Sequence, residues 1–294
     1  MIVQNKYKIA SLNVFIKQCY NEDFFTKRYS AYQSDFKDEE ADFILESKIV
    51  ENMTIPDGKL LIDTRGNKLY QLDNGNFVHV KIRPSDQCIV ERFTYTPDWK
   101  NCVIEFAELP NCRLSVQDRE YMFTFDAFVA RVCYLGGVMI HSSCIAYKGE
   151  AVLFSANSGT GKSTHTTLWK KVFKDDVQFI NDDKPIIFME EGKPYAYGTP
   201  WSGKTDLNNN LRCPVKGIVF IERGLQNEIK EVSIREILFN LFSNIIVPVE
   251  DKSLAKRVLE VYNKVLANTK VYKLKCNMDD EAAIVSRNGI FGGQ

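Results

Sequence analysis

The chain has 294 residues, 45% hydrophobic and 26% charged, which suits one large domain or two small ones with a real core. Lysine plus arginine (38) equals aspartate plus glutamate (38), so no global basic field draws nucleic acid or an anionic membrane. No apolar run approaches the ~20 residues that span a bilayer.

The start, Met1-Ile2-Val3-Gln4-Asn5-Lys6, has no basic segment followed by an apolar one, so a cytoplasmic location is expected. Residues 1 to about 116 read as strands and turns. Lys59–Asp63, Phe77–Ile82 and Cys102–Phe106 are strand-like. Pro56-Asp57-Gly58, Arg65-Gly66-Asn67 and Asp73-Asn74-Gly75-Asn76 are turn signals. An antiparallel meander is expected. From Asp118 to Tyr134 the apolar residues Tyr121, Met122, Phe125, Phe128, Val129, Val132 and Cys133 recur at helical spacing, and Gly136-Gly137 ends the helix. A hairpin follows, Ser143–Tyr147 and Ala151–Ser155, around Lys148-Gly149-Glu150. A helix is expected from Lys162 to about Phe173, and strands at Val177–Asn181 and Val215–Ile221. Ser233 with Glu236 forms a capping box for a helix to about Ile245, and a second helix spans Ser253 to Ala267. The expected fold class is α/β (α+β): a β-rich N-terminal region, residues 1–116, joined to a P-loop nucleotide-binding domain, residues 117–294.

The eight cysteines, at 19, 88, 102, 112, 133, 144, 213 and 276, form no C-x-x-C pair. Reduced, buried thiols are expected rather than zinc ligands or disulfides.

The strongest chemical signal is Ala156-Asn157-Ser158-Gly159-Thr160-Gly161-Lys162-Ser163-Thr164. It matches G-x-x-x-x-G-K-[ST] except that alanine replaces the first glycine. Glycines let successive amide groups turn inward on phosphate oxygens, and the following helix N-terminus favours an anion. Residues Asn157 to Thr164 are therefore expected to hold a nucleoside triphosphate, ATP or another. Lys162 would reach the β- and γ-phosphates, and Ser163 would place its hydroxyl on Mg2+. About twenty residues on, a strand ends in Asp182-Asp183. One carboxylate there can contact the metal and the other can take the proton of an attacking hydroxyl, with the assignment between them open.

His141 falls just before the hairpin and so beside the loop, with structural and catalytic readings both open. His165 is a helix-face candidate, and His79 reads as structural. The segment Tyr197–Asp206 is a loop by its glycines and proline. Trp201, Lys204 and the nearby Arg212 are candidate substrate contacts, with Lys204 or Arg212 offsetting charge on a transferring phosphoryl group. The alternative is an ordinary surface loop around one packed tryptophan.

In the order His141, hairpin, Ser158-Gly159-Thr160-Gly161-Lys162-Ser163, helix, strand, Asp182-Asp183, the sequence resembles the catalytic domain of HPr kinase/phosphorylase and its relatives, which share a fold with phosphoenolpyruvate carboxykinase. The Thr199–Lys204 loop looks like that of kinase-like members of the group. The resemblance covers roughly residues 135 to 225. It implies a P-loop domain of that type, a histidine near the phosphates at His141, nucleotide and Mg2+ contacts at Lys162 and Ser163, and metal contact and acid/base work at Asp182 and Asp183. It also allows a homo-oligomer. Thr164 stands where HPr kinases usually have glutamate, and their later glycine- and arginine-rich loop has no counterpart. The acceptor is therefore open: a hydroxyl of a small molecule, a peptide or a protein serine. The expected activity is a kinase, with a non-catalytic nucleotide-binding module or a carboxykinase-like lyase as alternatives.

Overall fold

The computed structural model describes residues 3–18, 22–108, 114–157, 159–237, 244–246 and 252–292. The chain divides into two units, 1–134 and 135–294.

In the first unit β1 (Val3–Ile9) and β2 (Leu12–Gln18) form a hairpin. Its two-residue turn, Ala10-Ser11, has φ of +50° and +66°, the left-handed pair that matches strand twist. Helix α1 (Glu22–Tyr29) precedes β3 (Phe43–Val50). Then come β4 (Lys59–Thr64), β5 (Asn67–Gln71), β6 (Phe77–Ile82), β7 (Ile89–Tyr95) and β8 (Asn101–Ala107). The sheet order is β1-β2-β3-β8-β7-β6-β5-β4. From β4 to β8 it is the expected antiparallel meander. The difference lies at β3, which inserts between β2 and β8, parallel to both.

Helix α2 (Val116–Tyr134) packs on this sheet, with Phe128 edge-on to Phe43 at 5.9 Å. Its buried arginines serve backbone carbonyls of the strand ends. Arg119 donates to Ala107 O at 3.0 Å, and Arg131 to Asp42 O and Asp98 O at 2.9 and 2.8 Å. Such charge-assisted bonds hold the helix to this unit. The division therefore falls after Tyr134 rather than at the expected 116/117.

The second unit opens with β9 (Gly137–Met139), β10 (Ser143–Tyr147) and β11 (Glu150–Ser155), the last two being the expected hairpin. Helix α3 (Lys162–Phe173) and β12 (Val177–Asn181) have the expected bounds. They are followed by β13 (Ile186–Glu190), β14 (Lys193–Tyr197), β15 (Arg212–Arg223), β16 (Glu228–Glu231), α4 (Lys252–Ala267), β17 (Lys270–Cys276) and α5 (Asp280–Phe291). Ser233 N–H donates to the Glu236 carboxylate at 3.0 Å, as in the expected capping box, and 234–237 are helical. Most of the remainder of that expected helix lies outside the described residues.

The long strand β15 joins two parts of the sheet. Its first residues pair antiparallel with β14, and from Val215 it runs parallel to β11 and then to β17. Strand β10 is antiparallel to both β11 and β12. Strands β12, β11, β15 and β17 consequently all end at one edge. Beneath them Trp169, Phe154, Ile145 and Leu274 are fully buried in one core cluster. Trp169 meets Tyr147 and Phe173 edge-on at 5.5 and 5.2 Å. This packing anchors α3 against the sheet and so fixes what precedes it. The six described cysteines are free, and burial pushes the Cys133 and Cys276 thiols up to about 12 and about 11. No described helix is long and apolar enough to cross a membrane.

Candidate functional site

The loop from Ala156 to Gly161 runs from the end of β11 into α3. Gly159 and Gly161 have φ of +75° and +118°, and no atom lies within 4 Å of where a Cβ would be. Backbone conformation, not crowding, selects glycine there. Ala156 is buried and is not among the described residues with positive φ, so alanine at the motif's first position costs the loop nothing. Asn157 O accepts the Thr160 amide at 3.1 Å, and Gly161 O accepts that of His165 at 2.9 Å, the first helical bond. Ser158 lies outside the described residues. The first amides of α3 have no partner within the helix, as at any helix start. Lys162 folds back so that Nζ donates to Ala156 O at 3.1 Å. Burial lowers its pKa, opposed by Asp183 and Asp182. Ser163 is half-buried and Thr164 exposed at the start of the helix.

The acidic doublet sits at the end of β12. Asp182 is 5% exposed, and its two oxygens each accept a hydroxyl, one from Ser143 and one from Thr205 at 2.8 Å. Ser143 Oγ in turn lies 2.8 Å from Thr166 Oγ1 on α3. Asp183 faces the more open side. Its Oδ1 is 3.2 Å from His141 Nδ1, and its Oδ2 is 3.9 Å from Lys184 Nζ. Burial pulls the His141 pKa below the ordinary imidazole range. Asp183 opposes this, and Lys162 and Lys184 add to it. The lowered pKa favours the neutral ring, whose Nδ1 stands beside the carboxylate. The structure brings His141, Lys162, Asp182 and Asp183 into one electrostatically linked group.

Four contributors carried no sequence signal strong enough to single them out. Asn181, fully buried, accepts the amides of Asp183 and Lys184 at 2.8 and 2.5 Å. Its amide group donates to Thr199 O and Trp201 O at 2.8 and 3.2 Å. It therefore ties the doublet to the 199–206 loop, and an Asn immediately before two acidic residues is the turn signal that points to it. Ser143 and Thr205 hold Asp182. Arg223, at the end of β15, donates to Gly159 O at 2.6 Å and bridges toward Thr160 O at 3.5 Å.

The candidate substrate contacts fare differently. Trp201 is fully buried, so it packs the loop rather than presenting a face. Lys204 is exposed. Arg212 is engaged by Glu190 and by Tyr197 Oη at 3.0 Å, and lies 3.8 Å over the Tyr195 ring. Its charge is matched across the sheet by Glu190 on β13. Gly203, with φ of +65°, packs against Asp183, where a Cβ would sit 3.2 Å from the Asp183 Cβ. His165 is 3% exposed between Trp169 and Ser286, a core residue. Among the described residues, no group of three or more His, Cys, Asp or Glu side chains is arranged to hold a metal.

No family model and no curated protein matches the chain. Among solved structures, it is similar to the Hpr(Ser) kinase/phosphatase from Coxiella burnetii. The TM-score is 0.31 at 10% identity, covering 51% of this chain and 94% of that one. A likeness at that level carries no argument about this chain.

Proposed function

We propose that the chain is an ATP- and Mg2+-dependent kinase that transfers the γ-phosphoryl group to a hydroxyl of a small molecule, a peptide or a protein serine. The observation that carries this reading is the linkage of Lys162, at the end of the glycine loop, with the His141–Asp183 pair at 3.2 Å. A loop suited to phosphates and a carboxylate suited to a proton share one site.

In this reading Asn157 and Gly159 to Thr164 hold the phosphates, and Lys162 turns from Ala156 O to the β- and γ-phosphate oxygens. A bound magnesium ion would supply positive charge against the charge that develops during transfer. Ser163 and Asp182 would hold it, because each Asp182 oxygen that accepts a hydroxyl from Ser143 or Thr205 keeps a further lone pair. Asp183 is the base, with His141 Nδ1 beside it at 3.2 Å. The acceptor oxygen bonds to the γ-phosphorus, the bridging oxygen leaves with ADP, and the acceptor proton passes to Asp183. Lys184 balances charge beside it.

The test is γ-labelled ATP with free serine, sugars or polyols, and serine-terminated peptides. Label should move to at least one acceptor with wild type and not with Asp183→Asn. Tight ATP binding with no transfer to any acceptor would instead support a non-catalytic nucleotide-binding module.

A further inference from the structure

Two cavities flank the glycine loop on the side of β15 and β17. The first, about 410 Å3, is lined by Asn157, Gly159, Thr160 and Arg223 among others. The second, about 340 Å3, is lined by Thr164, Leu168, Ile221, Cys276, Asn277 and Met278 among others. Thr160, Ile221 and Arg223 line both, so the two form one continuous groove. Their chemistry differs. The first is walled by loop backbone and a guanidinium anchored on Gly159 O. The second is floored by Leu168, Ile221 and Cys276 and rimmed by Met278, which is 67% exposed.

We infer that the second cavity seats the nucleoside end of the triphosphate, with the base against Ile221 and Leu168 and under Met278. This rests on the kinase reading above. Strand order supports it. Strands β12, β11, β15 and β17 end at one edge, in that order, with β10 between the first two. They carry in turn the acidic doublet, the glycine loop, Arg223 and Cys276–Met278. Ligands of such sheets lie outside the carboxyl ends of parallel strands. From β11 to β17 is two strand spacings, about 10 Å, a fitting offset between phosphates and base. On α3, Thr164 and Leu168 lie on the face away from Thr166, which turns to Ser143 and the doublet. Transfer chemistry and base recognition thus occupy opposite flanks of one loop. A cavity of this size, mostly apolar with a few polar groups, suits a heteroaromatic ring better than a second anion.

The experiment compares affinities for magnesium ATP and for magnesium tripolyphosphate, which lacks the nucleoside. It uses the full-length wild type, Met278→Ala and Leu168→Ala; Met278 is exposed and Leu168 half-buried. Wild type should bind ATP at least about tenfold tighter than tripolyphosphate. Met278→Ala should weaken ATP about fivefold by removing the sulfur-to-ring contact, and Leu168→Ala by a similar factor by removing apolar floor under the base. Tripolyphosphate affinity should stay within about twofold in both variants. Equal wild-type affinity for the two ligands, or equal weakening of both in the variants, overturns the inference while leaving the glycine loop as a triphosphate site. Binding of neither ligand overturns the glycine-loop reading, and this inference with it.

Discussion

Acidification should destabilise the second unit through His165. Its ring is 3% exposed, and Nε2 accepts from Trp169 Nε1 at 3.2 Å. The indole N–H also donates to Ser286 Oγ at 2.9 Å, Nε2 lies 3.1 Å from that hydroxyl, and Nδ1 faces the Cys276 sulfur at 4.0 Å, contacts that suit a neutral ring. Protonation would bury a charge in this core. Burial accordingly pulls the pKa down to about 4, against an ordinary 6.5. The unfolded chain then binds more protons than the native one between those values. Stability is full above pH 6.5, falls as pH drops through the window, and levels off below about 4. A displacement of that size is worth about 3 kcal/mol. Only three histidines are present, so nitrogen-15 NMR on histidine-labelled protein can follow each ring. One resonance should titrate near 4, and it should vanish in His165→Gln. Urea unfolding at pH 7 and pH 4, watched through near-UV dichroism, should show a loss in wild type that exceeds the variant's loss by about 3 kcal/mol. Equal losses in the two proteins, or three histidines titrating near 6.5, would refute the reasoning.

Asp183→Asn should lower transfer by about 100-fold or more while leaving magnesium ATP affinity within a few-fold, measured by labelled transfer and calorimetry. In wild type the neutral His141 is the working form, so activity should fall with acid through an inflection below pH 6.5, read from a pH–rate profile. Gly203→Ala forces a side chain into a left-handed position 3.2 Å from the Asp183 Cβ. It should cost about 1–2 kcal/mol of stability by denaturant titration and reduce transfer more than that loss explains. Trp201→Ala should cost about 4 kcal/mol by the same titration, as for a buried aromatic and unlike a substrate contact.

The pieces legible in the sequence are those encoded locally. The β10–β11 hairpin, α3 and β12 follow from short-range period and turn residues, and the glycine spacing marks the loop. The β1–β2 turn was hidden because Ala10-Ser11 lacks the usual Gly or Asn signal, although its geometry is the same. The insertion of β3 between β2 and β8 is a long-range pairing that no local pattern announces. At the site, Lys162 and the doublet stand out by motif. Their supports do not. Asn181, Ser143, Thr205 and Arg223 act through contacts that span the chain, and Arg223 reaches back 64 residues to Gly159. In sequence Trp201 suits substrate and packing equally and Arg212 suits a transferring phosphoryl group; burial of the one and the Glu190 pairing of the other are long-range facts.

The most direct test of the central claim is calorimetric titration of magnesium ATP into wild type and Lys162→Ala. Wild type should bind one equivalent. The variant should bind at least about thirtyfold more weakly, because a half-buried cation facing phosphate is removed. No binding by wild type, or the same affinity in both proteins, would contradict the account.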